Sequence, residues 1–245
     1  MGDSVTLSTH CHSRDLPRLH APGVLEELIE CHKYNFDEIL VVHQRTGDLP
    51  YTLPEKYKIK VIDILEENYR SILASVGIDY DNQLYWDTTH GFGGAHFFAH
   101  HIVNHITEMQ NATSDYIVFS DADCRIINQP KEISWVEHAI YILKNNSQVL
   151  IVSPSDGGKE CFKMLEDGTR LVPTVSQQIF LAERKRMAEM NFKDLPWDGK
   201  FDAPYGPFAE FYPMWEGHMW RWMRRHGLCR AVLPETYRYW HFEYH

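Results

Sequence analysis

Strands and helices take turns along the first part of this chain, and that alternation constrains its fold more than any single motif. Runs rich in β-branched, aliphatic or aromatic residues at 5–9, 38–43, 59–64, 116–119 and 149–152 read as strands. Segments of helical period fall between them at 24–33, 94–110 and 134–143. Such a pattern predicts an α/β sandwich, a mostly parallel sheet flanked by helices. No repeat, low-complexity tract or clear linker interrupts it, so a single domain over residues 1–245 is expected.

The fourth strand ends unusually. In "DYIVFSDADC", residues 115–124, an apolar run leads straight into Asp121 and Asp123, two carboxylates one residue apart. Like charges so close repel each other. A divalent cation relieves the repulsion with a chemical use, because hard cations take carboxylate oxygens as ligands. A solvated loop or an Asx-turn would also relieve it. Ligands in open α/β sheets bind beyond the carboxyl ends of strands, which is where this pair falls.

Charge narrows the function classes. With 24 basic and 34 acidic residues the formal net charge is −10, which argues against a general nucleic-acid binder. A polyanionic ligand would need local help, such as a metal ion. No stretch has the apolar length of a membrane span, and "MGDSVTLSTH" lacks the basic start and apolar middle of a signal peptide. A soluble, cytoplasmic protein without an integral membrane segment is expected. Cys11, Cys31, Cys124, Cys161 and Cys229 are scattered without a CxxC pair, as reduced thiols would be, and sequons at Asn111 and Asn145 carry no weight without secretion.

Histidines and aromatics are the other compositional signals. His96, His100, His101 and His105 form two i, i+4 pairs on one helix. Such pairs can hold zinc, but HExxH is absent and no cysteine accompanies them, so a polar or partly buried helix face is the stronger reading. From Pro196 onward come Trp197, Trp215, Trp220, Trp222 and Trp240, in a segment punctuated by Pro204, Pro207 and Pro213. Most of these rings are expected in the core, while the prolines favour loops that leave some rings to line a groove.

Taken in order, the pieces resemble the GT-A nucleotide-sugar glycosyltransferases, most like their inverting family-2 branch. "SVTLSTHCHSR" looks like that family's first strand and nucleotide loop, "GFGGAHFFAHHIVNHI" like its glycine-led helix, and "YIVFSDADC" like its DxD motif. "WEGHMWRWMRRHGLCRAVLPETYRYWH" looks like its acidic residue, arginine-containing helix, glycine, short strand and closing histidine. The resemblance spans most of the chain and rests on the order of the pieces. Two positions depart from it: Trp215-Glu216 stands where Glu-Asp is commoner, and Gln44 ends the second strand where an acidic residue often reads the base.

The resemblance implies a GT-A (Rossmann-like) sheet, with residues 1–125 as the nucleotide-sugar-binding half and 126–245 as an aromatic-rich acceptor-binding half. It implies transfer of a sugar from a UDP-, GDP- or dTDP-linked donor to a glycan or other sugar acceptor, with inversion. Expulsion of the diphosphate develops charge that Mn²⁺ or Mg²⁺ neutralises. By the same resemblance Asp123 binds the metal, Asp121 reaches the ribose or a metal-bound water, and His241 completes the shell. Glu216 takes the acceptor's proton as general base, with Glu210 six residues earlier as its rival. Thr9, His10 and Gln44 would meet the base or ribose, and Arg14 or Arg45 the phosphates. Gly91, Gly93 and Gly94 would let backbone approach the nucleotide. Residues 155–173 lie towards the acceptor as a lid or a plain surface loop. Two other classes share these residues: a metal-dependent phosphoester hydrolase using the aspartates with the 96–105 histidines, and a catalytically inactive nucleotide or sugar binder.

Overall fold

The computed structural model describes residues 2–12, 16–44, 53–84, 97–159, 161–176, 178–193 and 215–241. Its first four strands are β1 (Val5–His12), β2 (Glu38–Gln44), β3 (Ile59–Ile64) and β4 (Tyr116–Asp121). They lie in the order β3-β2-β1-β4, and every pairing is parallel. Parallel neighbours require crossover connections, which helices normally supply. Here they include α1 (Leu16–Leu19), α2 (Val24–Glu30), α3 (Tyr69–Ser75) and α4 (Phe97–Asn111).

The later residues extend the same sheet. After β5 (Cys124–Asn128) and α5 (Trp135–Asn145) come β6 (Val149–Ser153), β7 (Lys163–Met164), β8 (Arg170–Val172) and β9 (Ile179–Glu183). Then follow α6 (Arg184–Ala188), α7 (Trp215–Arg225), β10 (Cys229–Val232) and β11 (Arg238–His241). Among the described residues the sheet has nine strands in the order β3-β2-β1-β4-β9-β6-β10-β8-β7. β9 is antiparallel to both β4 and β6, so β6 and β10 run the same way as β4. The remaining pair, β5 and β11, makes a small antiparallel sheet.

A strand covered on both faces carries two apolar sets at period two. In β2, Ile39 and Val41 join the cluster of Leu25, Leu28 and Trp135, while Leu40 and Val42 join that of Leu73, Ile102 and Ile106. β4 divides likewise into Tyr116 and Val118 against Ile117 and Phe119. Phe119 stacks on Phe180 of β9 with centroids 4.6 Å apart. Fully burying a ring of this kind contributes about 1.5–3 kcal/mol. β1 breaks the pattern. Val5, Leu7 and Cys11 join the first cluster, but the alternate positions towards α4 hold Thr6, Ser8 and His10, all buried. Across from them α4 buries Asn104, His105, Thr107 and Glu108. A polar seam therefore runs through one side of an otherwise apolar core.

The structure differs from the sequence expectation in three places. The helix expected over 24–33 ends at Glu30, because Lys33 takes a left-handed φ of 49° that no α-helix tolerates. The 155–173 segment carries the β7–β8 hairpin, which joins the main sheet through β8 and β10. Its turn is made by Asp167-Gly168, with Gly168 at φ 85°. The strands β5, β9 and β11 and the short helices α1, α3 and α6 go beyond the expected elements. The helix expected near 134–143 does form, and Ser134 caps it by accepting from the Glu137 amide while the Glu137 side chain reaches back. Among the described residues no helix is long and apolar enough to cross a membrane.

Candidate active site

The register of β1 against β4 sets His10 opposite Asp121, at the carboxyl end of both strands. Strand parity turns both side chains to the α4 side of the sheet. His10 Nε2 lies 3.3 Å from Asp121 Oδ1, and His10 Nδ1 lies 3.2 Å from Glu108 Oε1. The other Glu108 oxygen is 3.0 Å from His105 Nδ1. Four ionisable side chains thus form one buried chain, Asp121 to His10 to Glu108 to His105.

Their charges follow from this contact order. Burial works against a cation at His10, but Glu108, and to a lesser degree Asp121 and Asp123, lift its pKa from 6.5 to about 9. Burial likewise disfavours the Glu108 carboxylate, yet attraction to His10 and hydrogen bonds from both histidines hold it at about 2. An imidazolium flanked by carboxylates results at neutral pH. Burial raises Asp121 to about 7, opposed by His10 and reinforced by Asp123 and Glu108. Asp121 Oδ1 is buried without a hydrogen-bond partner, since His10 stands at ion-pair distance without hydrogen-bonding geometry. The protein leaves this carboxylate short of positive charge.

Asp123 occupies the short turn between β4 and β5. Because β5 pairs with β11, Cys124 comes opposite His241, and His241 Nε2 reaches Asp123 Oδ2 at 3.1 Å. β11 is held there by the buried Tyr239, whose hydroxyl donates to Gln178 Oε1 at 2.7 Å. Donor atoms of Asp123, Cys124 and His241 lie within 4.8 Å of one another. Burial and the two aspartates push the Cys124 thiol well above its ordinary range, so it stays protonated and is a poor ligand. What remains is a carboxylate and an imidazole, with the Asp121 carboxylate near enough to be coupled electrostatically to both. Carboxylate and imidazole donors of this kind fit Mn²⁺ or Mg²⁺.

The other expected site residues distribute as follows. Thr9 is buried within β1, which runs on to His12, and its hydroxyl has no hydrogen-bond partner. Gln44 is buried at the end of β2, where its Nε2 donates to the His100 carbonyl at 2.6 Å and its Oε1 is left without a hydrogen bond. Glu216 is partly buried in the first turn of α7. Its neighbour Trp215 is fully buried with its ring 5.1 Å from that of His105, which ties the start of α7 to the polar seam. Arg14, Arg45, Gly91, Gly93, Gly94 and Glu210 lie outside the described residues.

Among the described residues the α4 histidines are not gathered into a zinc set. His105 turns to Glu108, the His100 ring stands edge-on to Tyr69, and burial and the nearby histidines push His101 down to about 3; His96 lies outside the described residues. His10, His105 and Glu108 could themselves collect a cation. Each Glu108 oxygen already faces one imidazole, however, and the ion-paired chain accounts for all three. Sequence reasoning missed Glu108. Its signal was an acid one step from Met109 on the face of α4 that buries Ile102 and Ile106.

No protein-family model and no curated protein sequence matches the chain. Solved structures do. The chain is similar to GalNAc-T7 with UDP, GalNAc and Mn²⁺, at a TM-score of 0.50 and 11% identity, over 98% of this chain and 44% of that one. It is also similar to S. aureus TarS, at 0.45 and 12%, over 96% of this chain and 36% of that one. A third likeness is to the mannosyltransferase PcManGT from Pyrobaculum calidifontis in complex with GDP-Man and Mn²⁺, at 0.45 and 15%, over 96% of this chain and 56% of that one. The chain thus spans less than half of GalNAc-T7. Its fold is that of the GT-A nucleotide-sugar glycosyltransferases.

Proposed function

We propose that the chain is a metal-dependent glycosyltransferase that moves a sugar from a UDP-, GDP- or dTDP-linked donor to a glycan or other sugar acceptor, with inversion. The observation that carries this reading is the convergence of Asp121, Asp123 and His241 at the carboxyl edge of a GT-A sheet. That the GalNAc-T7 structure holds UDP, GalNAc and Mn²⁺ on the same fold supports the donor class and the metal.

The roles are those that the family resemblance implies. Asp123 and His241 hold the cation, and Asp121 meets it or the ribose; His10 keeps Asp121 oriented. A bound Mn²⁺ or Mg²⁺ supplies charge neutralisation to the departing diphosphate. By the resemblance, Thr9, His10 and Gln44 would meet the base or ribose, Gly91, Gly93 and Gly94 would let backbone approach the nucleotide, and Arg14 or Arg45 would take a phosphate. Glu216 accepts the acceptor proton, as direct displacement requires of a general base, with Glu210 as the alternative.

A donor and acceptor panel with Mn²⁺, with Mg²⁺ and with chelator tests the reading. Metal-dependent release of nucleoside diphosphate that requires an acceptor, together with glycosylated product of inverted anomeric configuration, is expected. Phosphoester turnover without an acceptor would mark a hydrolase. Nucleotide binding without any release would mark an inactive binder.

A further inference from the structure

A cavity of about 580 Å³ lies beyond the carboxyl end of β6, lined by Asp156, Lys159, Cys161, Arg170, Thr174 and Arg230 among others. Its charge is out of character with the protein. The chain carries a net charge of −10, yet among the described residues these walls bring three cations against one carboxylate. Arg230 is the informative member. It sits in β10 between β6 and β8 and is only 4% exposed. A charge buried that deeply is costly unless it is fully hydrogen-bonded.

Arg230 is not fully hydrogen-bonded. Its Nη2 lies 3.2 Å from Asp156 Oδ2 and 3.4 Å from Thr174 Oγ1, and its Nη1 lies 3.4 Å from Ser153 Oγ. All three are long for contacts to a charged donor, which usually close to about 2.7–2.9 Å. Its Nε is buried with no hydrogen-bond partner. The other Asp156 oxygen stands 3.5 Å from Arg170 Nη2, so one carboxylate is shared between two guanidiniums. The nearby acid Glu235 is engaged elsewhere, accepting from Ser155 Oγ at 2.6 Å. Among the described residues the cavity offers no second anion, and a guanidinium fork matches a carboxylate or phosphate in shape as well as charge.

The cavity lies on the same sheet edge as Asp121, because β6 and β10 run parallel to β4. β11 links the two places. It bridges Ser155, next to Asp156, at Arg238 and ends at His241 beside Asp123, roughly 10 Å further along the strand. That is about the span of a sugar unit or two.

We infer that this cavity is an oxyanion site, and that it holds the carboxylate or phosphate of an acidic acceptor sugar while the donor occupies the Asp121–Asp123 side. The acceptor assignment rests on the transferase reading; the oxyanion site stands without it.

Binding measured without donor or metal tests the site directly. The full chain is titrated by calorimetry with glucuronate, glucose 6-phosphate and, as the neutral control, glucose. Saturable binding of the acids and none of glucose is expected, and the tighter acid identifies the carboxylate or the phosphate. Arg230→Gln should weaken the acid by about ten- to a hundredfold, the effect of losing a hydrogen bond to a charged group. Asp156→Asn should tighten it, because the competing carboxylate is gone. Should Arg230→Gln fail to fold, Asp156→Asn, at a more exposed position, carries the test. Equal binding of acids and glucose, or affinity unchanged in both variants, overturns the site. If the acids bind as described while no nucleotide sugar supports transfer, the transferase reading fails and the oxyanion site survives. Equal transfer to acidic and neutral acceptors overturns only the acceptor assignment.

Discussion

Asp123 and His241 stand 118 residues apart in the chain and 3.1 Å apart in space, joined because β11 returns to pair with β5. The pairing makes the last described strand a wall of the candidate active site. It also couples that site to the rest of the molecule through Tyr239 and the Ser155–Arg238 bridge.

Asp123→Asn is expected to abolish both transfer and Mn²⁺-dependent binding of nucleoside diphosphate while the fold survives. Asp123 is one-third exposed, so neutralising it should change unfolding free energy by no more than about 0.5 kcal/mol. Calorimetry with Mn²⁺ and with chelator, alongside circular dichroism, checks both parts. In the wild type the nucleotide should bind weakly in chelator, since the chain is acidic overall. Unchanged activity in a folded Asp123→Asn variant removes the metal from this site.

Glu108 holds the polar seam together, and Glu108→Gln should cost the protein about 3 kcal/mol of stability, the scale for breaking a buried ion pair from one side. The variant keeps the side-chain shape and removes only the charge that His10 and His105 face. Urea unfolding of the two proteins at neutral pH gives the comparison. A loss below about 1 kcal/mol would mean that the seam is solvated rather than ion-paired.

Acid should destabilise the fold well before its carboxylates are protonated. Burial, and secondarily the Arg125 guanidinium, push His32 down from 6.5 to about 3, and its Nδ1 accepts from Trp135 Nε1 at 3.0 Å. Between those values the unfolded chain takes up a proton that the folded chain refuses. Stability is therefore fully present above about 6.5 and is lost as pH falls towards 3, by up to about 1.4 kcal/mol per pH unit for this group. His32→Gln retains an acceptor for Trp135 and should flatten the decline in urea midpoint between neutral pH and about pH 5. A variant with the wild-type slope would show that His32 is protonated in the fold.

Much of this architecture was legible in the chain. β1 to β4 announce themselves because each is a short apolar run bounded by helical period, and Asp121 ends the fourth where a parallel sheet places its ligands. His241 was reachable only through the order of pieces in a family resemblance, since nothing local says that residues 238–241 pair with 124–128. Glu108 and Arg230 were missed for one shared reason. Each is a charge on a buried element, α4 for one and "CRAV" for the other, and a partner that gives it away comes from far off in sequence, His10 for Glu108 and Asp156 for Arg230. The 155–173 segment reads as a lid or surface loop because the only apolar side chains its hairpin buries fully are Leu171 and Val172, with Leu165 partly buried beside them.

The general base is the role most open to a decisive test. Glu216 lies in the first turn of α7, beside the Trp215 that packs on His105, and so is placed near the buried chain that ends at Asp121. If it is the base, Glu216→Gln should leave donor affinity nearly unchanged and slow turnover by about two to four orders of magnitude. The shape is kept and only the proton acceptor is lost, so the defect belongs in kcat and not in nucleotide binding. Glu210→Gln is the internal control and should be much milder. If the two variants exchange behaviour, the C-terminal resemblance is out of register by the six residues between them, and Glu210 takes the role. If neither slows transfer, either another acid is the base or the reaction retains configuration, and an NMR measurement of product anomeric configuration decides which.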